Sequence, residues 1–143
     1  MKKSVKTQKF NYPIDEVTSL LLDVDNYKNF IPMRYSEAEL LKKTPTFQKA
    51  LIKLKIPLLK VELITDYKII DDNNIEVSMQ GGPFKVMQGH WEFKKIDDKS
   101  SQVKLTSKYS FKNIILEKTI SPIIGTGLSS QVIKYFFKGL NQK

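Results

Sequence analysis

Between Ala50 and Phe111 the apolar residues fall largely on every second position, and from Leu116 onward they fall on every fourth. This change of period, from that of a strand to that of a helix, limits the possible folds more than any other feature of the chain. Ala50, Ile52, Leu54 and Ile56 alternate with Leu51, Lys53 and Lys55, and after Pro57-Leu58 the alternation resumes as Leu59, Val61 and Leu63. That pattern predicts a hairpin with one buried and one wet face. The Asp71-Asp72-Asn73-Asn74 turn leads into a strand over Ile75 to Met79, and Gly81-Gly82-Pro83 breaks the chain again. Met87, Gly89, Trp91 and Phe93 then share one face of a strand. Beyond a turn at Asp97 to Ser101, so do Val103, Leu105, Ser107, Tyr109 and Phe111.

The two ends supply the other elements. Lys6 to Phe10 predicts a first strand. After Tyr12-Pro13, the spacing of Ile14, Val17, Leu20, Leu21 and Val24 predicts a helix, with Asp15 and Glu16 favourably placed in its first turn. A second short helical turn fits Asp25 to Phe30, stopped by Pro32. The terminal segment places Leu116, Ile120, Ile124, Leu128, Val132, Phe136 and Leu140 on one helical stripe, with Asn113 as its N-cap. Pro122 should kink or restart this helix, and Gly125 and Gly127 each loosen it by about 1 kcal/mol relative to Ala.

The predicted order is one strand, two short helices, about six antiparallel strands and one long helix. This is an α+β architecture: a curved antiparallel sheet of six to seven strands wrapped around a long C-terminal helix, with a cavity possible between them. With 143 residues and no repeat, linker or low-complexity tract, the chain reads as a single domain spanning 1–143.

Composition removes whole classes of chemistry. There is no cysteine, so disulfides, thiolate nucleophiles and Cys–metal sites are excluded, and the single His90 makes no imidazole cluster. No stretch reaches the roughly 20 apolar residues of a membrane span, and no apolar run follows Lys2, Lys3, Lys6 and Lys9 as a secretory signal requires. The expected location is cytoplasmic, with peripheral contact at the inner membrane face. The net charge is +9. From Lys104 to the end, seven lysines stand against Glu117 alone. Such a field suits anionic lipid surfaces and ribosomal RNA alike, while lysine-rich composition by itself also yields a solvated face. Arg34 is the only arginine, whereas base and phosphate readers favour arginine.

Tyr12-Pro13-Ile14 with Val17, then Asp23-Val24-Asp25-Asn26-Tyr27-Lys28-Asn29-Phe30-Ile31-Pro32, resembles the opening signature of the coenzyme Q-binding START family. Gly82-Pro83-Phe84, with Met87, Trp91 and Phe93, resembles that family's second signature, and the resemblance spans essentially the whole chain. The chain departs from the family at Met33 and Arg34, where a small or aromatic residue and then cysteine are usual. Pro122, Gly125 and Gly127 also interrupt a helix that is continuous in the family.

The resemblance implies a START-like helix-grip fold and non-enzymatic binding of a hydrophobic ligand, a polyprenyl quinone such as ubiquinone or a related lipid, in support of respiratory electron transport. No cofactor is required beyond such a bound lipid. The same superfamily includes proteins named polyketide cyclases and ribosome-association toxins, so a ribosome-associated regulator is the alternative. No enzyme is expected, since only Tyr109 and Ser107 are polar and point inward on this register and no carboxylate does.

Candidate ligand-binding residues are Tyr27, Phe30 and Ile31 before Pro32; the two aromatic rings would stack on a flat head group, or the three would simply pin the helices to the sheet. Met79, Phe84, Met87, Trp91 and Tyr109 on the strands, with Leu128, Val132 and Phe136 on the terminal helix, form an inner stripe that either lines a pocket or fills a core. Ile56, Pro57, Leu58 and Leu59, flanked by Lys55 and Lys60, make an apolar hairpin tip that would dip into an anionic membrane or fold back over the helix.

Overall fold

The structure, a computed structural model, describes residues 1–29, 36–56, 59–124 and 127–141. Seven antiparallel strands form one sheet: β1 (Lys2–Phe10), β2 (Ser36–Lys43), β3 (Phe47–Ile56), β4 (Leu59–Asp71), β5 (Asn74–Gln80), β6 (Phe84–Asp97) and β7 (Ser100–Phe111). The order across the sheet is β1-β7-β6-β5-β4-β3-β2, so only β1 leaves its sequence neighbours to pair elsewhere. Register shifts at Leu40/Lys42, Ile69/Asp71, Phe84/Val86 and Lys95/Asp97 bend the long strands and strengthen the twist.

Three α-helices accompany the sheet: α1 (Ile14–Leu22), α2 (Ile114–Ile124) and α3 (Leu128–Asn141), with a 3₁₀ turn at Val24–Asn29. In α1 the Pro13 carbonyl accepts the first helical N–H bonds, Asp15 and Glu16 occupy the first turn, and Val17, Leu20 and Leu21 are buried. α3 packs against β1, β7 and α1. Phe10 of β1, fully buried, stacks on Phe137 of α3 at 5.6 Å and meets Phe136 edge-on at 6.2 Å.

The hairpin of β3 and β4 and the strands β5, β6 and β7 lie where alternation places them, and Ala50, Ile52, Val61, Leu63, Val103 and Leu105 are all buried. Two strands differ from the sequence expectation, one in its start and one in its presence. β1 starts at Lys2 rather than Lys6, because it pairs along its whole length with β7, from Lys2 opposite Tyr109 to Phe10 opposite Ser101. β2, with the sequence SEAELLKK, is built of good helix formers and carries no alternation signal, yet pairing with β3 holds it extended.

The long terminal helix is two helices. Pro122 sits in the last turn of α2 without ending it, and α3 restarts after Gly127, whose φ of 147° is open to glycine. Asn113 caps α2 as its position suggests, its Oδ1 accepting the Leu116 N–H at 2.9 Å.

Candidate functional site: an apolar cavity between sheet and helix

The inner face of the sheet and α3 do not close completely on each other. They leave a cavity of about 240 Å³. Its sheet wall is Ile52, Val61, Leu63 and Tyr67 from β3 and β4, Val77 and Met79 from β5, Phe84, Met87 and Trp91 from β6, and Leu105 and Ser107 from β7. Leu128, Gln131, Val132, Tyr135 and Phe136 of α3 face them, with Ile120 of α2, Leu21 of α1 and Tyr27 of the 3₁₀ turn. The volume is below the roughly 300–1,000 Å³ of typical ligand pockets.

Alternation explains who faces in. Met87, Gly89 and Trp91 share a parity on β6, and the absence of a side chain at Gly89 leaves space beside Leu105 and the Trp91 indole. Trp91 bridges to α3, its ring 5.1 Å from that of Phe136, and lies parallel to Phe93 at 6.2 Å.

Seven of the predicted ligand-binding side chains besides Tyr27 line the cavity: Met79, Phe84, Met87, Trp91, Leu128, Val132 and Phe136. Tyr109, though buried, is not in the lining; its ring packs edge-on against Phe84 at 6.4 Å and Phe111 at 6.0 Å. Phe30, Ile31 and the hairpin-tip side chains of Ile56, Pro57, Leu58 and Leu59 lie outside the described residues.

Sequence reasoning missed Tyr67, Val61, Leu63 and Gln131 as lining residues. Tyr67 was within reach: it follows Val61 and Leu63 at the same parity on β4, with Thr65 between, but the alternation is read only as far as Leu63 because Thr65 interrupts the apolar run.

Two hydrogen-bonded chains involve polar residues of the cavity lining, Tyr27 with Tyr67 and Ser107. Tyr27 donates its hydroxyl proton to the Leu21 carbonyl, and the Tyr67 hydroxyl lies 2.9 Å from that of Tyr27. A carbonyl can only accept, so Tyr67 is the donor of the second bond. In the other chain Ser129 Oγ donates to the Ser4 carbonyl at 2.8 Å, and Ser107 Oγ lies 2.7 Å from Ser129 Oγ, which makes Ser107 its donor. Burial, reinforced by the neighbouring Tyr67, pushes the Tyr27 hydroxyl well above the usual tyrosine range. Burial likewise raises Tyr67, partly opposed by its bond to Tyr27. Both hydroxyls are therefore neutral at physiological pH.

No Asp, Glu, His, Lys or Arg appears among the described lining residues. Among the described residues there is also no group of three or more metal-ligating side chains, and no helix long and apolar enough to cross a membrane.

A curved antiparallel sheet gripping a C-terminal helix around an apolar cavity defines the START-like, helix-grip class. The chain belongs to the polyketide cyclase / dehydrase and lipid transport family, whose model matches residues 10–133. It is 22% identical over 121 residues to the ribosome association toxin RatA of Pseudomonas aeruginosa, covering 85% of this chain and 83% of that one. Among solved structures it resembles the Zhui aromatase/cyclase of a Streptomyces species, with a TM-score of 0.79 at 14% identity over 99% of this chain and 94% of that one. A START superfamily protein from Mycobacterium smegmatis matches with a TM-score of 0.75 at 16% identity, over 96% and 93% of the two chains. At these identities the solved structures speak for the fold alone.

Proposed function

We propose that the protein binds an apolar small molecule in the cavity between sheet and α3, a polyprenyl quinone or a lipid of similar shape, and holds it without transforming it. The role this suits is support of respiratory electron transport from the inner face of an anionic membrane. The observation that supports this most is the lining: among the described residues it is aliphatic and aromatic side chains with a few hydroxyl and amide groups and no carboxyl, imidazole or amine. Proton-transfer catalysis needs a positioned group that changes protonation near the working pH, and the tyrosines here are held neutral by burial. Met79 and Met87 offer soft walls that adapt to a flexible chain. Trp91, the one tryptophan, lines the cavity and reports on occupancy. Titration with a short-chain ubiquinone should quench its fluorescence saturably at one equivalent; a linear, non-saturating response would contradict the reading.

A second reading, regulation by association with ribosomal particles, is favoured by one feature of the outer sheet face. Lys3 on β1 stands directly opposite Lys108 on β7, both exposed. Paired like charges destabilise a sheet unless an anion lies over them, and a phosphate backbone supplies such anions. Relatives bear the name ribosome association toxin. This reading predicts co-sedimentation with ribosomal subunits that weakens steeply with salt and is lost in Lys3→Glu/Lys108→Glu. Pelleting that ignores salt would argue against it.

A further inference from the structure

Among the described residues, the three most exposed large apolar side chains are Met1, Ile115 and Ile114, at 78%, 72% and 60%; no other exceeds 49%. They belong to one end of the molecule. Ile114 and Ile115 open α2, shortly after the end of β7, and Met1 precedes Lys2, whose ammonium bridges to Glu117 of α2 at 2.9 Å. Lys112 and Lys118 flank the isoleucines and are exposed, and the described ion pairs include neither of them. Glu117, the one acidic residue of α2, is already held by Lys2. This first turn of α2 is therefore both apolar and cationic.

The same helix also walls the cavity. Ile120, 5% exposed, lines it together with Pro83 and Phe84, and the Pro83 carbonyl accepts the Lys112 N–H at 3.0 Å. Five residues separate Ile115 from Ile120, about 8 Å along the helix axis and roughly 140° around it. α2 thus turns one isoleucine to the cavity and another to the outside. From this we infer that the first turn of α2 docks on an anionic bilayer, Ile114 and Ile115 entering the headgroup region and Lys112 and Lys118 meeting lipid phosphates. This rests on the lipid-carrier reading and adds the surface through which the protein meets the membrane. Other occupants fit worse. An RNA backbone has no use for two exposed isoleucines. A second copy of the chain, docked patch to patch, would set Lys112 and Lys118 against their counterparts. Two isoleucines and two lysines give weak, reversible binding, which suits a carrier that has to leave the membrane again.

Co-sedimentation of the full chain with lipid vesicles tests this, with phosphatidylglycerol and phosphatidylcholine in equal parts set against phosphatidylcholine alone. The wild type should pellet with the anionic vesicles and largely stay in solution with the neutral ones. Lys112→Gln/Lys118→Gln should lower the partition coefficient about thirtyfold, the effect of two lysines at an anionic surface. Ile114→Ser/Ile115→Ser should lower it at least about tenfold, with the urea midpoint unchanged because both side chains are exposed. Pelleting that survives the isoleucine substitutions overturns the inference. So does a wild type that fails to pellet while short-chain ubiquinone still quenches Trp91 in free solution, an outcome that leaves the cavity reading in place. Binding of neither vesicles nor ubiquinone removes the cavity reading and the docking surface together. Dimers that the isoleucine substitutions dissociate, without any vesicle binding, would assign this turn to a second copy of the chain instead.

Discussion

Gly127 lies against Ser4 with no room for a side chain: a Cβ at position 127 would sit 2.9 Å from the Ser4 Oγ. The same Ser4 oxygen accepts the Ser129 N–H at 3.1 Å, and the Ser4 carbonyl accepts the Ser129 hydroxyl. The start of α3 is thus fastened to the edge strand β1 through one glycine and two serines. A residue that interrupts the apolar stripe in the sequence is, in the fold, the point where α3 is anchored.

Gly127→Ala should therefore cost more than the loss of glycine in an ordinary loop. It combines a positive φ of 147° with a close approach to Ser4. A loss of about 1–3 kcal/mol in urea-denaturation free energy is expected. Hydrogen exchange in the first turn of α3 should also accelerate. A variant as stable as the wild type would show that α3 is not held here.

Thr65 offers a test of opposite sign. It is fully buried on the inner face of β4, and its hydroxyl has no hydrogen-bond partner among the described residues. Thr65→Val keeps the shape and removes the unsatisfied group, so it should stabilise the protein by about 1 kcal/mol. A destabilised variant would mean the hydroxyl has a partner in solution.

The tyrosine pair makes stability depend on alkaline pH. Both folded-state values are raised above the ordinary 10.0, so between the unfolded and folded values the native state binds more protons than the unfolded chain. The stabilisation is complete below about pH 10 and is lost as pH rises toward the folded values, by up to roughly 1.4 kcal/mol per pH unit for each group. Urea midpoints measured from pH 8 to 11 should fall above pH 10, and about half as steeply in Tyr67→Phe. An unchanged slope in that variant would contradict the buried pair.

Much of this arrangement was legible before the fold was known. The parity of Met87, Gly89, Trp91 and Phe93 put the right side chains on the inner face of β6, and the four-residue spacing of Leu128, Val132 and Phe136 put theirs on the facing helix. Signals of that kind survive because burial acts on every second or fourth residue whatever else the chain does. What was not legible came from pairing and from polar contacts across the fold. β2 reads as helix-forming until β3 lies beside it. The serine chain joins positions 4, 107 and 129, and Tyr27 meets Tyr67 across 40 positions of sequence. No local period encodes such meetings. Tyr109, inward by parity, was spent on packing with Phe84 and Phe111 rather than on the cavity.

Val132 separates the cavity from the core. It is only partly buried and lines the open space, so Val132→Trp should fill the cavity with little cost, melting within a few degrees of the wild type, and abolish ligand uptake. Trp91→Ala, by contrast, removes contacts with Phe136 and Phe93 and should cost about 3–5 kcal/mol. Uptake that survives Val132→Trp would place the ligand elsewhere.

The most direct measurement is of what the protein holds when taken from its native host. The protein is purified without detergent and extracted with organic solvent, and the extract is analysed by mass spectrometry. A quinone, hydroquinone or other lipid at close to one molecule per chain, absent from the Val132→Trp variant prepared the same way, is the predicted result. An empty extract, with no uptake on later incubation with short-chain quinones, would contradict it and make the space beneath α3 an ordinary packing defect.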